Sequence, residues 1–556
     1  MRKSLVILIV ALSLATVELS AQVTKRVEVT KAYTPEINRA KKLMLEPDMS
    51  DTVTLRPDID YSITPRSIES RLSQSLYQPM IVPLSESKAT QSESLYTKVA
   101  LGAPFSSLLD IYASKPLSGG GYIMGYINHS GDYGKRDNIY GESTSANQSQ
   151  NVLGVAVRKT YNEKQAETNV YYVHDIWDRY ATPTPEDNHV RYQRLGVDGS
   201  YGDNYSDWSR WNFATDVGLD RFWANGGNDV TSFDLGVNAG HKLGMGKLYL
   251  GAEFYLAKGS GDYQNNSISF ESSYTFTLKK LDFKLGAVYL YDVVDSDVAD
   301  SKDSNILPSL KVKSNHFSGF KPFVEIDTKL QRNDFASLTD INPYIESGQY
   351  LGQNTTTYNF RAGIEGDLLN QKLTYRLYTE YSTSENGLYW VFATPEYLMD
   401  DVTMELGEDN FYIADLDDKD ALSLNIDAEY RVCRSFKVNM AMSLTDYHGS
   451  YLEVGEPKFE LSLGAEYKVD KLTIGIGADY MSKRYNTYVN SIASPISYAR
   501  IKTPQSINLK ASAQLRVKQN LAIFIDLDNL MSDDVYQWAG YKEYGASVMA
   551  GVKIQF

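Results

Sequence analysis

The chain has 556 residues and a formal net charge of −15, with one cysteine and six histidines. This acidic balance argues against a nucleic-acid partner, because phosphate backbones are bound by clustered Lys and Arg side chains. The single thiol, Cys433, can form neither an internal disulfide nor a structural zinc site. Tyrosine is abundant, with 42 Tyr against 19 Phe and 6 Trp, and its amphipathic ring suits a boundary between apolar and aqueous surroundings.

The amino terminus has the order of a secretory leader. Two basic residues precede an apolar stretch at 5–14, and the small residues Ser20 and Ala21 end the leader. Residues 1–21 are therefore predicted to be a signal peptide, and the short apolar stretch disfavours the alternative of an uncleaved membrane anchor. No later apolar run is long enough for a membrane helix, so a membrane-spanning protein of this sequence would cross the bilayer with strands.

Residues 22–94 differ in composition from everything after them, because they are rich in charge and in regularly placed prolines. These prolines are Pro35, Pro47, Pro57, Pro65, Pro79 and Pro83. Since each proline interrupts helix or sheet, the stretch is predicted to be an extended periplasmic or lumenal segment. The alternating residues 27–30, Val-Glu-Val-Thr, could pair with the strand edge of a partner; a simple linker is the alternative.

From about residue 95 the chain repeats one theme, in which an alternating strand, a short turn, a second alternating strand and a long polar loop follow one another. The clearest hairpin joins apolar positions from Leu422 to Val432 with those from Phe436 to Leu444. About 22 such strands are predicted, and nearly all short turns fall on one side. The long connections are 131–149, 177–189, 293–305, 332–356, 385–419, 448–456, 485–504 and 531–543. Residues 95–556 are therefore predicted to be all-β, an antiparallel transmembrane barrel with short periplasmic turns and long extracellular loops.

The last strand ends in Tyr544 to Phe556, where every second residue is apolar. Alternation over more than ten residues gives one apolar face and one polar or small face, at a length that a tilted strand needs to cross a bilayer. A soluble sandwich shares the alternation, but its strands usually have only about five or six residues. The strand length, the leader and the terminal Phe favour the membrane barrel and a location in the outer membrane.

The polar face of the strands is predicted to line the lumen. Its charged residues are Glu325, Asp327, Lys329, Asp427, Glu429, Arg431, Glu460, Glu466, Lys468, Lys510, Arg516, Asp526, Asp528 and Lys553. Both signs are interleaved, so the residues form no ring of one sign of the kind that selects anions or cations. A solvated wall is the simplest interpretation.

Two predicted external loops are acidic. The first carries Asp292, Asp295, Asp297, Asp300 and Asp303, and the second carries Asp400, Asp401, Glu405, Glu408, Asp409, Asp415, Asp417, Asp418 and Asp420. Neither matches the spaced ligand pattern of a calcium loop, so solvated loops are expected and no metal or other cofactor is predicted. No catalytic arrangement or nucleotide-binding loop stands out, and the chain is predicted not to be an enzyme.

The carboxyl end resembles that of TonB-dependent receptors. That family often ends with Asn-Leu after the penultimate strand, a Tyr several residues on, a Gly before the last strand and a final Phe. Here these are Asn529-Leu530, Tyr536, Gly545 and Phe556. The resemblance implies a 22-stranded barrel that imports scarce ligands with energy from the inner-membrane TonB complex. It also implies that the last strand is a signal for the outer-membrane insertion machinery, carried by Tyr544, Val548, Val552, Ile554 and Phe556.

Only about 70 residues separate the predicted leader from the first strand, fewer than the folded plug of that family occupies, so an atypical or plug-less member is predicted. A barrel of 22 strands encloses a wide lumen, which residues 22–94, infolded loops such as 332–356 and 385–419, or a partner protein must fill. Two functions follow. The first is transport of a small polar solute across the outer membrane, with outer-membrane lipid and TonB or another envelope protein as partners. The second is a structural or assembly subunit of an outer-membrane complex.

Overall fold

The computed structural model describes residues 94–556 apart from 139–140, 162, 182–188, 206, 297–299, 318, 394–410, 450–451 and 491–496. The predicted signal peptide and the predicted segment 22–94, except its last residue, lie outside these described residues. The described part contains 28 strands and one short helix, and almost every strand shows the alternation of apolar and polar residues that the sequence carries.

The strands are β1 (Leu95–Ala103), β2 (Ser106–Pro116), β3 (Gly121–Asp132), β4 (Lys135–Asp137), β5 (Ser143–Ser145), β6 (Gln148–Tyr161), β7 (Lys164–Asp178), β8 (His189–Asp203), β9 (Asn212–Ala224), β10 (Asp229–Leu243), β11 (Gly246–Gly259), β12 (Gln264–Leu278), β13 (Leu281–Asp295) and β14 (Ser301–Ser314). They continue with β15 (Lys321–Gln331), β16 (Thr355–Leu368), β17 (Leu373–Ala393), β18 (Phe411–Cys433), β19 (Phe436–Gly449), β20 (Phe459–Val469), β21 (Leu472–Met481), β22 (Arg484–Asn490), β23 (Ser497–Thr503), β24 (Ser506–Lys518), β25 (Leu521–Asp528), β26 (Tyr536–Trp538), β27 (Tyr541–Lys542) and β28 (Ser547–Gln555). The helix, α1, spans Phe335–Ile341.

Six of these strands, namely β4, β5, β22, β23, β26 and β27, lie in connections, and the other 22 form one wall of antiparallel neighbours. The wall closes on itself because β1 pairs antiparallel with β28, from Tyr96 opposite Gln555 to Ala103 opposite Val548. The structure therefore confirms the predicted antiparallel barrel of about 22 strands.

Side chains alternate between the two faces of the wall. On β8, Leu195 and Val197 point outward and are 50% and 40% exposed, whereas Tyr192 and Arg194 point inward and are buried. The outer face is apolar all the way round. Its exposed residues include Val99, Leu153, Val217, Leu250, Leu285, Val324, Leu422, Leu463, Ile476 and Ile523. An apolar belt of this extent on a closed barrel is a surface for lipid. No helix in the described part is long and apolar enough to span a bilayer.

The connections differ in length between the two ends of the barrel. The end where the wall begins at Leu95 and finishes at Gln555, which we call the terminal rim, has tight turns such as 244–245, 279–280 and 470–471. The opposite end, the loop rim, carries long connections such as the one between β15 and β16. As predicted, this asymmetry puts the terminal rim in the periplasm and the loop rim outside the cell.

Two of the predicted external loops are largely strand. β13 continues to Asp295 and β14 begins at Ser301, so most of 293–305 belongs to the wall; in the same way, β17 and β18 extend deep into 385–419. The sequence prediction was wrong here because it required an apolar face. Strands that extend beyond the bilayer contact water on both faces, so they need no apolar face. Above the wall, β22 pairs in parallel with the extension of β17, and β23 pairs with β22.

Candidate functional site

The connection between β15 and β16, residues 332–354, folds into the barrel, and we call it the inner loop. Its helix α1 begins because the side chain of Asp334 accepts a hydrogen bond from the Ser337 N–H at 2.8 Å, which satisfies one of the free donors of the first turn. It ends where Asn342 adopts an extended conformation. Phe335 and Leu338 of this helix are fully buried.

Inward-facing side chains of distant strands hold the inner loop. The hydroxyl of Tyr192 on β8 donates to the Pro343 carbonyl at 2.8 Å, and that of Tyr255 on β11 donates to the Asp334 carboxylate at 3.0 Å. On β12, the side-chain amide of Asn265 donates to Asn354 at 2.8 Å. The loop thus leaves the wall at β15 and reaches strands many positions away, so it crosses the lumen beneath the loop rim. Infolding of this connection was one of three ways of filling the lumen that the sequence left open, and the structure shows it.

An aromatic cluster fills the space between the inner loop and the β26–β27 hairpin. The rings of Tyr344 and Tyr541 stack with centroids 3.5 Å apart, and both side chains are almost fully buried. Tyr412 packs against Trp538 at 5.3 Å, and its hydroxyl donates to the Ala539 carbonyl at 2.8 Å. Burial of several large rings stabilises this arrangement far more than the hydrogen bonds do, and it forms the main hydrophobic core of the described chain.

Backbone pairing extends the sheet above the wall into the inner loop. The Tyr412 N–H donates to the Tyr344 carbonyl at 2.8 Å, and the Glu346 N–H donates to the Tyr412 carbonyl at 2.8 Å. The side-chain amide of Gln349 then bonds both the N–H and the carbonyl of Ala414. These bonds pair the part of β18 that extends beyond β19. We call the external opening of the barrel the mouth. The inner loop and the extensions of β17 and β18 close it together.

One arginine joins α1 to the wall through two carboxylates. The guanidinium of Arg194 on β8 lies 2.8 Å from Asp340 on the inner loop and 3.3 Å from Asp220 on β9. Arg194 is 9% exposed and the two carboxylates about a third or less. Burial raises the pKa of the Asp340 carboxyl above its ordinary value, and the Arg194 guanidinium partly offsets that rise. We call Arg194, Asp220 and Asp340 the helix latch.

Beside the helix latch is a small cavity of about 40 Å³, lined by Asp175, Trp177, Tyr192 and Thr339 among others. One carboxylate oxygen of Asp175 is buried there without a hydrogen-bond partner in the described residues. Asp175 thus lines the same cavity as Arg194 and Asp340, and its buried oxygen adds to the polar character of the joint between the helix and the wall.

The wall below the inner loop is lined by paired charges, as the interleaved signs predicted. Arg361 lies 2.7 Å from Asp327, and Lys311 lies 3.1 Å from Glu325. Farther round the wall, Lys437 pairs with Glu466 at 3.3 Å and Lys510 with Asp479 at 2.9 Å. Within the described residues, no group of three or more His, Cys, Asp or Glu side chains is arranged to hold a metal ion. The lumen therefore presents a wet, polar surface.

The residues predicted to form the assembly signal are spread along the carboxyl end. Val548 and Val552 point outward and are 36% and 37% exposed, Phe556 is 61% exposed, and Ile554 is half-buried on β28. Tyr544 precedes the strand instead, and the guanidinium of Arg136 lies 4.1 Å from its ring centroid. Three of the five residues thus lie on the closing strand and Phe556 directly follows it, and the role of all five in assembly stays a prediction.

Residues of the helix latch were not singled out from the sequence. Arg194 and Asp220 look like any other polar residues of an alternating strand, and only their three-dimensional register brings them to Asp340. The inner loop carried a stronger signal, because Phe335, Leu338 and Tyr344 are large apolar residues inside a polar connection. Such residues in a long loop indicate that it packs against something.

Comparison with known proteins shows the same fold. No family model and no curated protein matches the sequence. The ferripyoverdine receptor FpvA of Pseudomonas aeruginosa is similar in structure, with a TM-score of 0.64 and 12% identity over 84% of this chain and 72% of that chain. The copper transporter OprC has a TM-score of 0.60 and 15% identity over 84% and 82% of the two chains. The ferric-catecholate receptor Fiu of E. coli K12 has a TM-score of 0.61 and 10% identity over 84% and 82%.

The chain has the fold of the TonB-dependent outer-membrane receptors. Its closed wall and apolar outer face agree with the predicted location in the outer membrane. The similar structures are named as receptors and transporters.

Proposed function

We propose that this protein imports a small polar solute across the outer membrane, with the inner loop as the gate on the external side. The observation that carries the proposal is the inner loop itself, which crosses a wide, polar lumen and closes it beneath the loop rim. A purely structural barrel needs only a filled lumen. A loop that crosses the lumen and is held there by non-covalent contacts suits a gate that opens when a ligand arrives.

The names of the similar structures support uptake as the general role. They include receptors for ferripyoverdine and for ferric catecholates, and transporters for iron and copper. For this chain, the paired charges of the lumen suit a hydrated, polar solute, and we propose that energy for opening comes from TonB or another periplasmic protein. The outer-membrane insertion machinery and outer-membrane lipid complete the proposed partners.

Binding can be measured through tryptophan fluorescence, because Trp177, Trp390 and Trp538 all lie in the aromatic cluster. The purified full chain would be titrated with a panel of ferric siderophores, copper and small saccharides. A ligand of the gate should change the fluorescence saturably, and cells that lack the protein should lose uptake of that same solute. The Trp223→Phe variant leaves the cluster intact and serves as a control for nonspecific quenching.

The alternative, a structural subunit of an outer-membrane complex, predicts a different pattern. Affinity purification from crosslinked membranes would then recover a partner in stoichiometric amount, and no solute of the panel would change the fluorescence. That combination of results would refute the uptake proposal.

A further inference from the structure

Among neighbouring strands of the described wall, β14 and β15 share the shortest hydrogen-bonded ladder. These neighbours are paired over only four positions, from Leu310 opposite Ile326 to Lys313 opposite Phe323, all close to the terminal rim. By contrast, β13 and β14 are paired over fourteen positions. Above Leu310, residues 305–309 of β14 lie beside residues 327–331 of β15 without ladder bonds. We call this unpaired stretch the seam.

Pro308 explains why the ladder stops. The N–H of Asn315 donates to Lys280 on the β13 side, and successive residues of a strand point their backbone groups to opposite neighbours. Residue 308 therefore directs its backbone toward β15, where proline has no N–H to donate. The hydroxyl of Thr328 donates to the Pro308 carbonyl at 3.2 Å instead. A single side-chain bond thus replaces the first ladder bonds of the seam.

The seam lies within the apolar belt of the barrel. Ile306 is 72% exposed on the outer face, and it is in register with Tyr289 of β13, which is 45% exposed. Hydrocarbon offers no hydrogen-bond partner to an unpaired backbone group, so a stretch without ladder bonds at this depth is unfavourable unless a polar group meets it. The wall is therefore easiest to part at this place.

The inner side of the seam carries a cation. Lys329 is exposed and, by the alternation of β15, lies on the inner face with Glu325 and Asp327. Those two carboxylates are paired with Lys311 and Arg361, whereas Lys329 makes no ion pair within the part of the chain that the structure describes. An apolar outer edge and a free ammonium on the inner edge match an amphiphile with an acidic headgroup.

We propose that the seam is a lateral opening, through which an amphiphile with an acyl chain and an acidic headgroup passes between the lumen and the outer leaflet. This inference rests on the proposed uptake function. It specifies the imported solute as a molecule with a polar headgroup and an apolar chain. The inner loop closes the mouth, so the seam supplies a second route into the lumen. The chain of the ligand stays in the bilayer while its headgroup reaches Lys329.

A disulfide across the seam tests this opening. In a Cys433→Ser background, Asn305→Cys with Gln331→Cys places two thiols opposite each other if the register of the four paired positions continues. The control pair, Tyr291→Cys with Ser304→Cys, lies at a similar level on the other side of β14, where the ladder is complete. Both pairs fall at positions without mutual backbone bonds, where cross-strand side chains are closest.

Purified full-length protein in phosphatidylcholine nanodiscs would be labelled with hexadecanoic acid that carries a photoreactive diazirine on its chain. We expect adducts on the inward-facing Leu307 and Lys329 as well as on the outward-facing Ile306. The seam disulfide should confine adducts to outward-facing residues, whereas the control disulfide should leave the pattern unchanged. Adducts on outward-facing residues alone in the unlocked protein would overturn the proposal.

The headgroup is tested by two further probes with the same chain. Hexadecyl phosphate should label the inner side several-fold more than the methyl ester of hexadecanoic acid, and Lys329→Ala should remove that difference. Equal inner labelling by the ester would refute the acidic headgroup. Failure of the seam is distinguishable from failure of uptake, because saturable fluorescence changes with a water-soluble ligand would persist when inner labelling is absent.

Discussion

The mouth and the seam both separate the lumen from its surroundings, and they differ sharply in the contacts that close them. At the mouth, the inner loop is fixed by stacked rings, by backbone pairing with β18 and by the helix latch. At the seam, β14 and β15 are joined above Leu310 by the hydroxyl of Thr328. The mouth is therefore closed by many contacts of several kinds, whereas a single described hydrogen bond joins the two strands at the seam.

Both boundaries depend on a closed wall, so the largest effect is expected from the closing strand. Phe556→Ala keeps the backbone bonds between residue 556 and Leu95 but removes the ring that the insertion machinery is predicted to read. We expect a large loss of assembled barrel, measured as heat-modifiable protein in outer-membrane fractions. Phe105→Ala, at an 80% exposed ring on the loop rim, is the control. Equal amounts of assembled protein for the two variants would contradict the assigned role.

The next largest effect is expected at the mouth. Tyr344→Ala removes a fully buried ring from the aromatic cluster, at a cost of about 3–5 kcal/mol for a large core residue. Because the rings hold the inner loop, backbone amides at 335–346 should exchange with solvent much faster, while wall amides stay protected. Tyr289→Ala, on the outer face, serves as the control. Unchanged exchange at 335–346 would show that the cluster does not hold the loop.

The helix latch should contribute less. Arg194→Ala leaves Asp340 and Asp220 without their cation, and we expect the closed loop to lose about 2 kcal/mol, below the 3–5 kcal/mol of fully buried pairs because the carboxylates are partly exposed. Tryptophan emission should report the change through Trp177, which packs edge-on against Tyr344 at 5.9 Å. Arg194→Lys should retain part of the stability. A loss as large as that of Tyr344→Ala would reverse the order of the two contacts.

The latch should also respond to pH. Because burial raises the pKa of Asp340 in the closed state, the closed state binds the proton more tightly than an open, solvated state does. Closure is therefore favoured below the ordinary pKa of an aspartate, and this contribution is lost as pH rises through the raised value. Asp340→Asn should flatten the dependence of the fluorescence on pH above the ordinary pKa of an aspartate. A profile of unchanged shape would assign the titration to another group.

The sequence predicted the strands of the barrel wall well. It predicted poorly the features that depart from a regular wall. Alternation over β18 and β19 is a local property, so strand number, turn placement and the two faces could all be read from it. The helix latch could not, because the pairing of Arg194 with Asp340 depends on where a distant loop comes to rest. The extensions of β17 and β18 escaped notice for the opposite reason: strands in water on both faces lose the apolar signature that marks a membrane strand.

The seam was partly readable, since a proline within an alternating stretch indicates an edge or an interrupted ladder. Which neighbour loses its bonds could not be predicted, because that depends on whether residue 308 directs its backbone toward β13 or toward β15. The register of the folded wall settles the question. It also shows that Thr328 lies opposite Pro308. This contact depends on the pairing of two strands and cannot be predicted from the residues of either strand alone.

The smallest effect is expected from this threonine. Thr328→Val removes the hydroxyl that donates to the Pro308 carbonyl and keeps the shape of the side chain, so about 1 kcal/mol should be lost locally. Amides at the four positions where β14 pairs with β15, next to the seam, should exchange faster, and inner labelling by the diazirine acid should increase. Thr215→Val is the matched control, because the Thr215 hydroxyl donates to the Gly236 carbonyl at 2.9 Å across a fully paired ladder. If both variants change exchange equally, the Thr328 hydroxyl has no special part in closing the seam.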